Sequence, residues 1–229
     1  MKRVIGVDCP LDSGDSRISQ FMCDARTKPG GLYDQIETRS EYKVTRLSKP
    51  TLTDLQQAIC DPTVVLITAS GHGTSDGRAF VRTLSENLLQ AGKGFYDRKA
   101  FDQKIVHLFA CQTARSLGHD LVGPNADDLT GAGAFFGYNA DFSFANNYDQ
   151  DPSLAGEFIA CDSAIDLALV DGGSIQQALQ AATNAFTDLI DKWKLESSLK
   201  GLASLLQEDL KALSLGIYST SGAIWTTAA

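Results

Sequence analysis

A thiol and an imidazole each stand just past the end of an apolar run. His72 follows residues 64–69 (VVLITA) in the string Ala69-Ser70-Gly71-His72-Gly73, and Cys111 closes the string Leu108-Phe109-Ala110-Cys111. A cysteine beside a histidine is a nucleophile beside a base. The imidazole takes the thiol proton, the thiolate attacks a carbonyl carbon, and the histidine protonates the leaving amine. The two residues lie 39 positions apart. That interval fits a strand, a crossover helix and a return strand. If the strands are parallel neighbours, both side chains reach one sheet edge, where open α/β sheets bind their ligands. Glycine beside His72 lets the chain approach a substrate closely. The backbone N–H groups of Gly73 and Cys111 then face one carbonyl oxygen and form an oxyanion hole, worth about 3 kcal/mol per donor. Residues 112–115 (QTAR) suit a helix start, whose dipole favours a thiolate.

The other candidates carry less. His107 lies inside its strand and reads as a satisfied core histidine; its HxxxC spacing to Cys111 falls on a strand end and does not suit a metal site. His119 reads as a surface residue. Cys9 follows the first strand, but no histidine is spaced to serve it. The five cysteines (Cys9, Cys23, Cys60, Cys111, Cys161) form no CxxC pair. They fit neither a disulfide framework nor a structural zinc site, and point to a reduced, cytoplasmic chain whose thiols are mostly buried.

The elements that must position the pair follow from the pattern. Residues 3–7, 64–69, 104–110 and 134–138 are apolar throughout, as expected of strands buried on both faces. Residues 42–47 alternate and read as a further strand. Thr51 and Asp54 have capping-box spacing before the helix that Pro62 stops. Residues 32–38 suit a short helix and 80–91 a longer one. Residues 11–30 and 139–156 read as long loops ringing the site. Ser174 with Gln177 opens a long amphipathic helix, and a leucine stripe from Leu195 to Leu213 marks a second. A strand over 215–219 follows, with 223–227 pairing at the edge. Strands alternating with helices predict one domain over 1–229: a three-layer α/β/α sandwich with a mostly parallel sheet of about six strands. The helices of 174–213 form a cover layer or a lid.

The chain has 229 residues, 43% hydrophobic and 21% charged, enough for one sizeable core. Its formal charge of −8 disfavours nucleic acid as a partner. No apolar run reaches the ~20 residues of a membrane helix, and the start MKRVIGVDCP is too short in apolar residues for a secretory signal. There is no GxxxxGK[ST] and no GxGxxG after a strand.

The string VVLITASGHGTSDG followed by VHLFACQTA resembles the caspase-like cysteine peptidases, most closely their bacterial CHAT and clostripain-like branches. The resemblance runs over about residues 1–190 in element order and is specific at the two strand ends. It implies a caspase-like fold and a peptide or protein substrate. It also implies endopeptidase action without a cofactor, through an acyl-enzyme on Cys111 with His72 as acid/base. The caspase QACRG string is absent, and Phe109 and Ala110 stand where related enzymes often place a pocket acid. Asp141, 30 residues past Cys111, matches a second pocket acid in relatives and would receive a basic residue before the cut bond. Asp8, ending the first strand, lines the same pocket or caps a loop. Arg26, Arg78 and Arg82 then become candidate self-cleavage points. An activating partner is not named by the residues. The alternative is a catalytically inactive caspase-like interaction module.

Overall fold

Runs that are apolar on both faces become the middle of the sheet, and the rest of the fold is built outward from them. The computed structural model describes residues 1–10, 16–123, 131–141, 152–218 and 223–228. The elements in chain order begin with β1 (Lys2–Asp8), α1 (Ser16–Thr27), α2 (Leu32–Glu37), β2 (Tyr42–Ser48), α3 (Leu52–Ile59) and β3 (Val64–Ser70). Three short strands follow: β4 (His72–Gly73), β5 (Ala79–Thr83) and β6 (Glu86–Gln90). After a 3-10 turn at Arg98–Phe101 come β7 (Ile105–Phe109), α4 (Ser116–Val122) and β8 (Ala134–Tyr138). The last elements are α5 (Pro152–Val170), α6 (Ile175–Leu195), α7 (Lys200–Ala212), β9 (Leu213–Ile217) and β10 (Ile224–Thr227).

The chain is α/β. Seven strands form one sheet in the order β10-β9-β8-β7-β3-β1-β2, and a second sheet holds β4-β5-β6. The five strands from β2 to β8 run parallel, while β9 is antiparallel to both β8 and β10. The edge strand expected near the end of the chain is β10, so the sheet has seven strands rather than six. Alternate residues along each strand face opposite layers. Ile5, Val7, Ile67, Ala69, Val106 and Leu108 pack with α3, α4 and the β5–β6 hairpin. Phe109, Phe136 and Tyr138 pack with α5 and α6. Helices thus cover both faces, compatible with a three-layer sandwich. Both expected capping boxes, Thr51 with Asp54 and Ser174 with Gln177, are formed. Among the described residues no helix is long and apolar enough to cross a membrane.

Four readings of the sequence are corrected. Residues 80–91 are the β5–β6 hairpin, not a helix. Leu84, inside that span, is 70% exposed, and β5 forms because β4 offers it an antiparallel partner. Within 11–30, residues 16–27 are helix α1, and 11–15 lie outside the described residues. Within 139–156, the chain from Pro152 is already α5; residues 142–151 lie outside the described ones. The leucine stripe shortens to α7, with Leu206 and Leu210 buried but Leu195 88% exposed, and the next strand starts at Leu213.

Helices α1 and α5 escaped notice because each carries charged residues into the core among its apolar ones. His107 on β7 lies wholly in the core, with Nδ1 3.0 Å from Asp166 Oδ1 and Nε2 3.2 Å from Asp162 Oδ1. Tyr138 Oη donates to Asp162 at 2.7 Å, and Thr68 Oγ1 donates to Asp166 at 2.7 Å. Arg26 Nη2 donates to Thr68 at 2.8 Å and so extends the chain of contacts to α1. Burial works against a charged His107, but the two facing carboxylates outweigh it and raise the imidazole to about 10. Burial likewise works against a charged Asp166, and His107 outweighs it, holding that carboxyl below its usual range.

The sign of the resulting pH dependence is fixed. A histidine that titrates near 6.5 unfolded and near 10 folded stabilises fully below pH 6.5 and loses that contribution as pH rises through 10. The melting temperature is therefore expected to fall between about pH 7 and pH 10. His107→Gln should be less stable at neutral pH and flatten that slope. A thermal scan series across the window checks this, and equal slopes for both proteins would contradict it.

Candidate active site

Strand register brings His72 and Cys111 together. β3 and β7 are adjacent and parallel, with Ser70 opposite Phe109. Gly71 N–H donates to Phe109 O at 3.3 Å, one residue past that pair. The segments Gly71-His72 and Ala110-Cys111 therefore leave the same edge side by side. The tightest contact follows at once: a Cβ on Gly73 would stand 1.8 Å from the carbonyl oxygen of Cys111. Only glycine permits that approach. His72 and Cys111 are both half-buried, and Nε2 of His72 is shielded from solvent. His72 is not on a loose loop, because β4 pairs with β5, setting His72 opposite Val81 and Gly73 opposite Phe80.

The chain beyond Cys111 is a tight turn, not the expected helix start. Gln112 has φ +58°, in the left-handed region that side chains disfavour. It is held there from several sides. Its N–H donates to Ala140 O at 3.0 Å, and its O accepts from Arg115 N–H at 3.0 Å. Thr113 Oγ1 donates to Ala110 O at 3.0 Å. Helix α4 begins only at Ser116, so no helix N-terminus lies at the thiol. A second glycine fastens this turn to the histidine segment. Gly77, at φ +69°, leaves room for Gln112 O, which a Cβ there would meet at 2.6 Å. The Gly77 carbonyl accepts from Leu117 N–H at 2.9 Å and from Ser116 N–H at 3.3 Å. The chain from His72 to Gly77 thus folds over the chain from Cys111 to Leu117.

Asp141 stands at the exposed end of the same group. Its Oδ1 accepts from Gln112 Nε2 at 2.9 Å, and Gln112 Oε1 accepts from Arg115 Nη1 at 2.9 Å. Gln112 and Arg115 were not singled out from sequence. The only available signal was their place directly after the cysteine, which suggested a helix instead.

Asp8 stands elsewhere. It ends β1 on the same edge but turns inward, where it is 5% exposed. Tyr33 Oη donates to its Oδ2 at 2.8 Å, Ser70 Oγ donates to its Oδ1 at 3.0 Å, and Arg26 Nε lies 3.5 Å away. Burial raises its carboxyl, opposed by Arg26 and by the Tyr33 and Ser70 hydrogen bonds. Of its two sequence readings, pocket acid and loop cap, the structure shows neither; Asp8 anchors the buried end of β3 just before Gly71. Arg26 is wholly buried and cannot be cut in the folded chain, whereas Arg78 is exposed. Arg82 donates to Lys49 O at 2.9 Å and pairs with Glu86.

The remaining thiols are of two kinds. Burial pushes Cys9, Cys23 and Cys161 up to about 12, which leaves them protonated and inert. Cys60 is exposed but caps α3 just before β3 begins, at the opposite edge of the sheet. Cys111 alone of the five combines solvent access with the carboxyl edge.

No family model matches the chain, and no curated protein matches it. A solved structure of an O-acetylhomoserine sulfhydrylase of Wolinella succinogenes, described as catalysing sulfur transfer in methionine biosynthesis, aligns over 95% of this chain and 67% of that one. The identity is 12% and the TM-score 0.26, and a likeness that weak carries no argument about fold or chemistry.

Proposed function

We propose that this chain is a caspase-like cysteine endopeptidase in which Cys111 is the nucleophile and His72 the general acid/base. One observation carries the reading: the Gly73 backbone is seated on the Cys111 carbonyl at a distance no other residue allows. A contact that tight between a His-Gly and a Cys, at the carboxyl edge of two parallel strands, is what a shared catalytic centre requires. The left-handed Gln112 next to the thiol is backbone strain of the kind found at functional sites.

The reaction follows from the groups present. His72 accepts the Cys111 proton, and the sulfur attacks the peptide carbonyl carbon. Charge moves to the carbonyl oxygen, which the N–H groups of Gly73 and Cys111 stabilise. The C–N bond breaks as His72 passes its proton to the departing amine. Water then gives a proton to His72 and attacks the thioester, releasing the acid and restoring the thiol.

Asp141 supports a preference for a basic residue before the cut, because its carboxylate is exposed and held by Gln112 close to Cys111. A positional peptide library, with products sequenced, tests both points. Cleavage after Arg or Lys is the expected result; cleavage spread over all residues would remove the basic pocket. Asp141→Asn is expected to raise KM for basic peptides about tenfold with kcat little changed, the mark of lost binding rather than lost chemistry. An equal rise for peptides without a basic residue would contradict that role.

A further inference from the structure

The sheet edge that carries Cys111 continues into a groove of about 570 Å³. It runs past the ends of β8 and β10, between those strands and α4, and Arg115, Ser116, His119, Asn139, Trp225 and Thr226 are among its walls. His119 stacks on Trp225 with ring centroids 4.1 Å apart, which closes one side. Arg115 is exposed, and its stem lies against Gly77, where a Cβ would come within 2.8 Å of Arg115 Cβ. Ser116, Asn139 and Thr226 add hydroxyl and amide donors.

No carboxylate stands among the described residues that line this groove. The chain as a whole carries 28 Asp and Glu against 20 Lys and Arg, so a groove lined by Arg115 and no carboxylate departs from the acidic balance of the chain. Burial holds the His119 imidazole below its ordinary range, which leaves Arg115 as the positive charge at neutral pH. Arg115 is also tied to the centre. Gln112, next to Cys111, donates to Asp141 through Nε2 and accepts from Arg115 through Oε1. One amide therefore fixes a carboxylate and a guanidinium at its two ends, and Arg115 is also a wall of the groove.

We propose that the groove is a subsite for an acidic side chain of the substrate, with Arg115 its counter-charge. The preferred polypeptide then carries a glutamate or aspartate within a few residues of the bond cut at Cys111. The assignment rests on the peptidase reading for what is cut, but not for what is bound.

The test separates the two. Full-length protein carrying Cys111→Ala is titrated with capped hexaglutamate, capped hexaglutamine and inorganic phosphate. Binding is followed by calorimetry and by tryptophan fluorescence, since Trp225 forms part of the wall. Hexaglutamate is expected to bind at least tenfold more tightly than hexaglutamine. Arg115→Gln in the same background should weaken hexaglutamate at least tenfold, with Arg115→Lys restoring part of the loss. Circular dichroism verifies that these exposed-site variants fold. Absence of hexaglutamate binding, equal binding of the two peptides, or an Arg115→Gln protein of unchanged affinity would overturn the proposal. Phosphate binding as tightly as hexaglutamate would also overturn it, by marking a plain anion site. Wild-type protein that binds hexaglutamate through Arg115, yet neither cleaves peptides nor reacts at Cys111, would refute the peptidase reading and leave the groove assignment standing.

Discussion

Replacing Cys111 with alanine is expected to abolish peptide cleavage, a loss of about 10⁴-fold or more, because no other group can form the acyl intermediate. The rival thiols cannot substitute. Cys9, just past the end of β1, is buried and held protonated, and Cys60 lies at the far edge. The same change should hardly affect folding. Cys111 is half-buried, and cutting its side chain back to a methyl removes little packing. A shift of the melting temperature of no more than about 2 °C is expected, under 1 kcal/mol for a chain of this size. Cleavage by the alanine variant at wild-type rate would show that the chemistry lies elsewhere.

Gly73→Ala carries the second large effect. The new methyl would start 1.8 Å from the Cys111 carbonyl oxygen and 3.2 Å from Thr113 Cγ2. Nothing in that contact is a flexible side-chain tip on the Cys111 side; it is backbone. To reach even a tight 3.0 Å the two strand ends must separate by more than 1 Å. Displacements of that size cost roughly 10²-fold in rate when they separate reacting groups. Overpacking of this kind also costs about 1–3 kcal/mol of stability. Gly201→Ala is the natural control, since Gly201 lies in α7 where a Cβ meets nothing within 4 Å. It should leave activity intact and raise stability by about 0.5–1 kcal/mol, the helix preference for alanine over glycine. Indistinguishable activities of the two alanine variants would mean that the Gly73 contact has no catalytic meaning.

The parts of the molecule legible in the sequence were the short unbroken apolar runs and the one-sided apolar stripes. β1, β3, β7 and β8 could be read because each is a short, mostly apolar run, and the strand ends carrying His72 and Cys111 came with them. α6 announced itself through the Ser174–Gln177 box and a one-sided apolar stripe. α1 and α5 did not, because Arg26, Asp162 and Asp166 interrupt their apolar residues and look like surface residues until their partners are known. Those partners, Thr68 and His107, are more than 40 residues away along the chain. No local pattern encodes such pairing. The β5–β6 hairpin was hidden for a different reason: its residues also satisfy a helical spacing, and only the strand at His72–Gly73 decides between the two.

Within the site, types and spacing gave the thiol and the imidazole but not what surrounds them. The backbone turn at Gln112 requires a left-handed residue where no glycine or asparagine signals it. Tertiary hydrogen bonds from Ala140, Arg115 and Asp141 hold it instead. Asp8 illustrates the opposite failure. It sits at the correct edge, but its side chain faces Arg26 of α1 and Tyr33 of α2, and whether a strand-end residue points to solvent or inward depends on register, which composition does not reveal.

The proposed chemistry depends on the Cys111 thiol being activated by His72, and the rate of alkylation at Cys111 measures this without any substrate. Iodoacetamide is applied at pH 6 to wild-type protein and to His72→Ala, and modification is quantified by peptide mass spectrometry at Cys111 and at the exposed Cys60. Cys111 is expected to react at least tenfold faster than Cys60, with His72→Ala removing that excess and leaving Cys60 unchanged. A Cys111 that reacts no faster than Cys60, or equally fast with and without His72, would contradict the account.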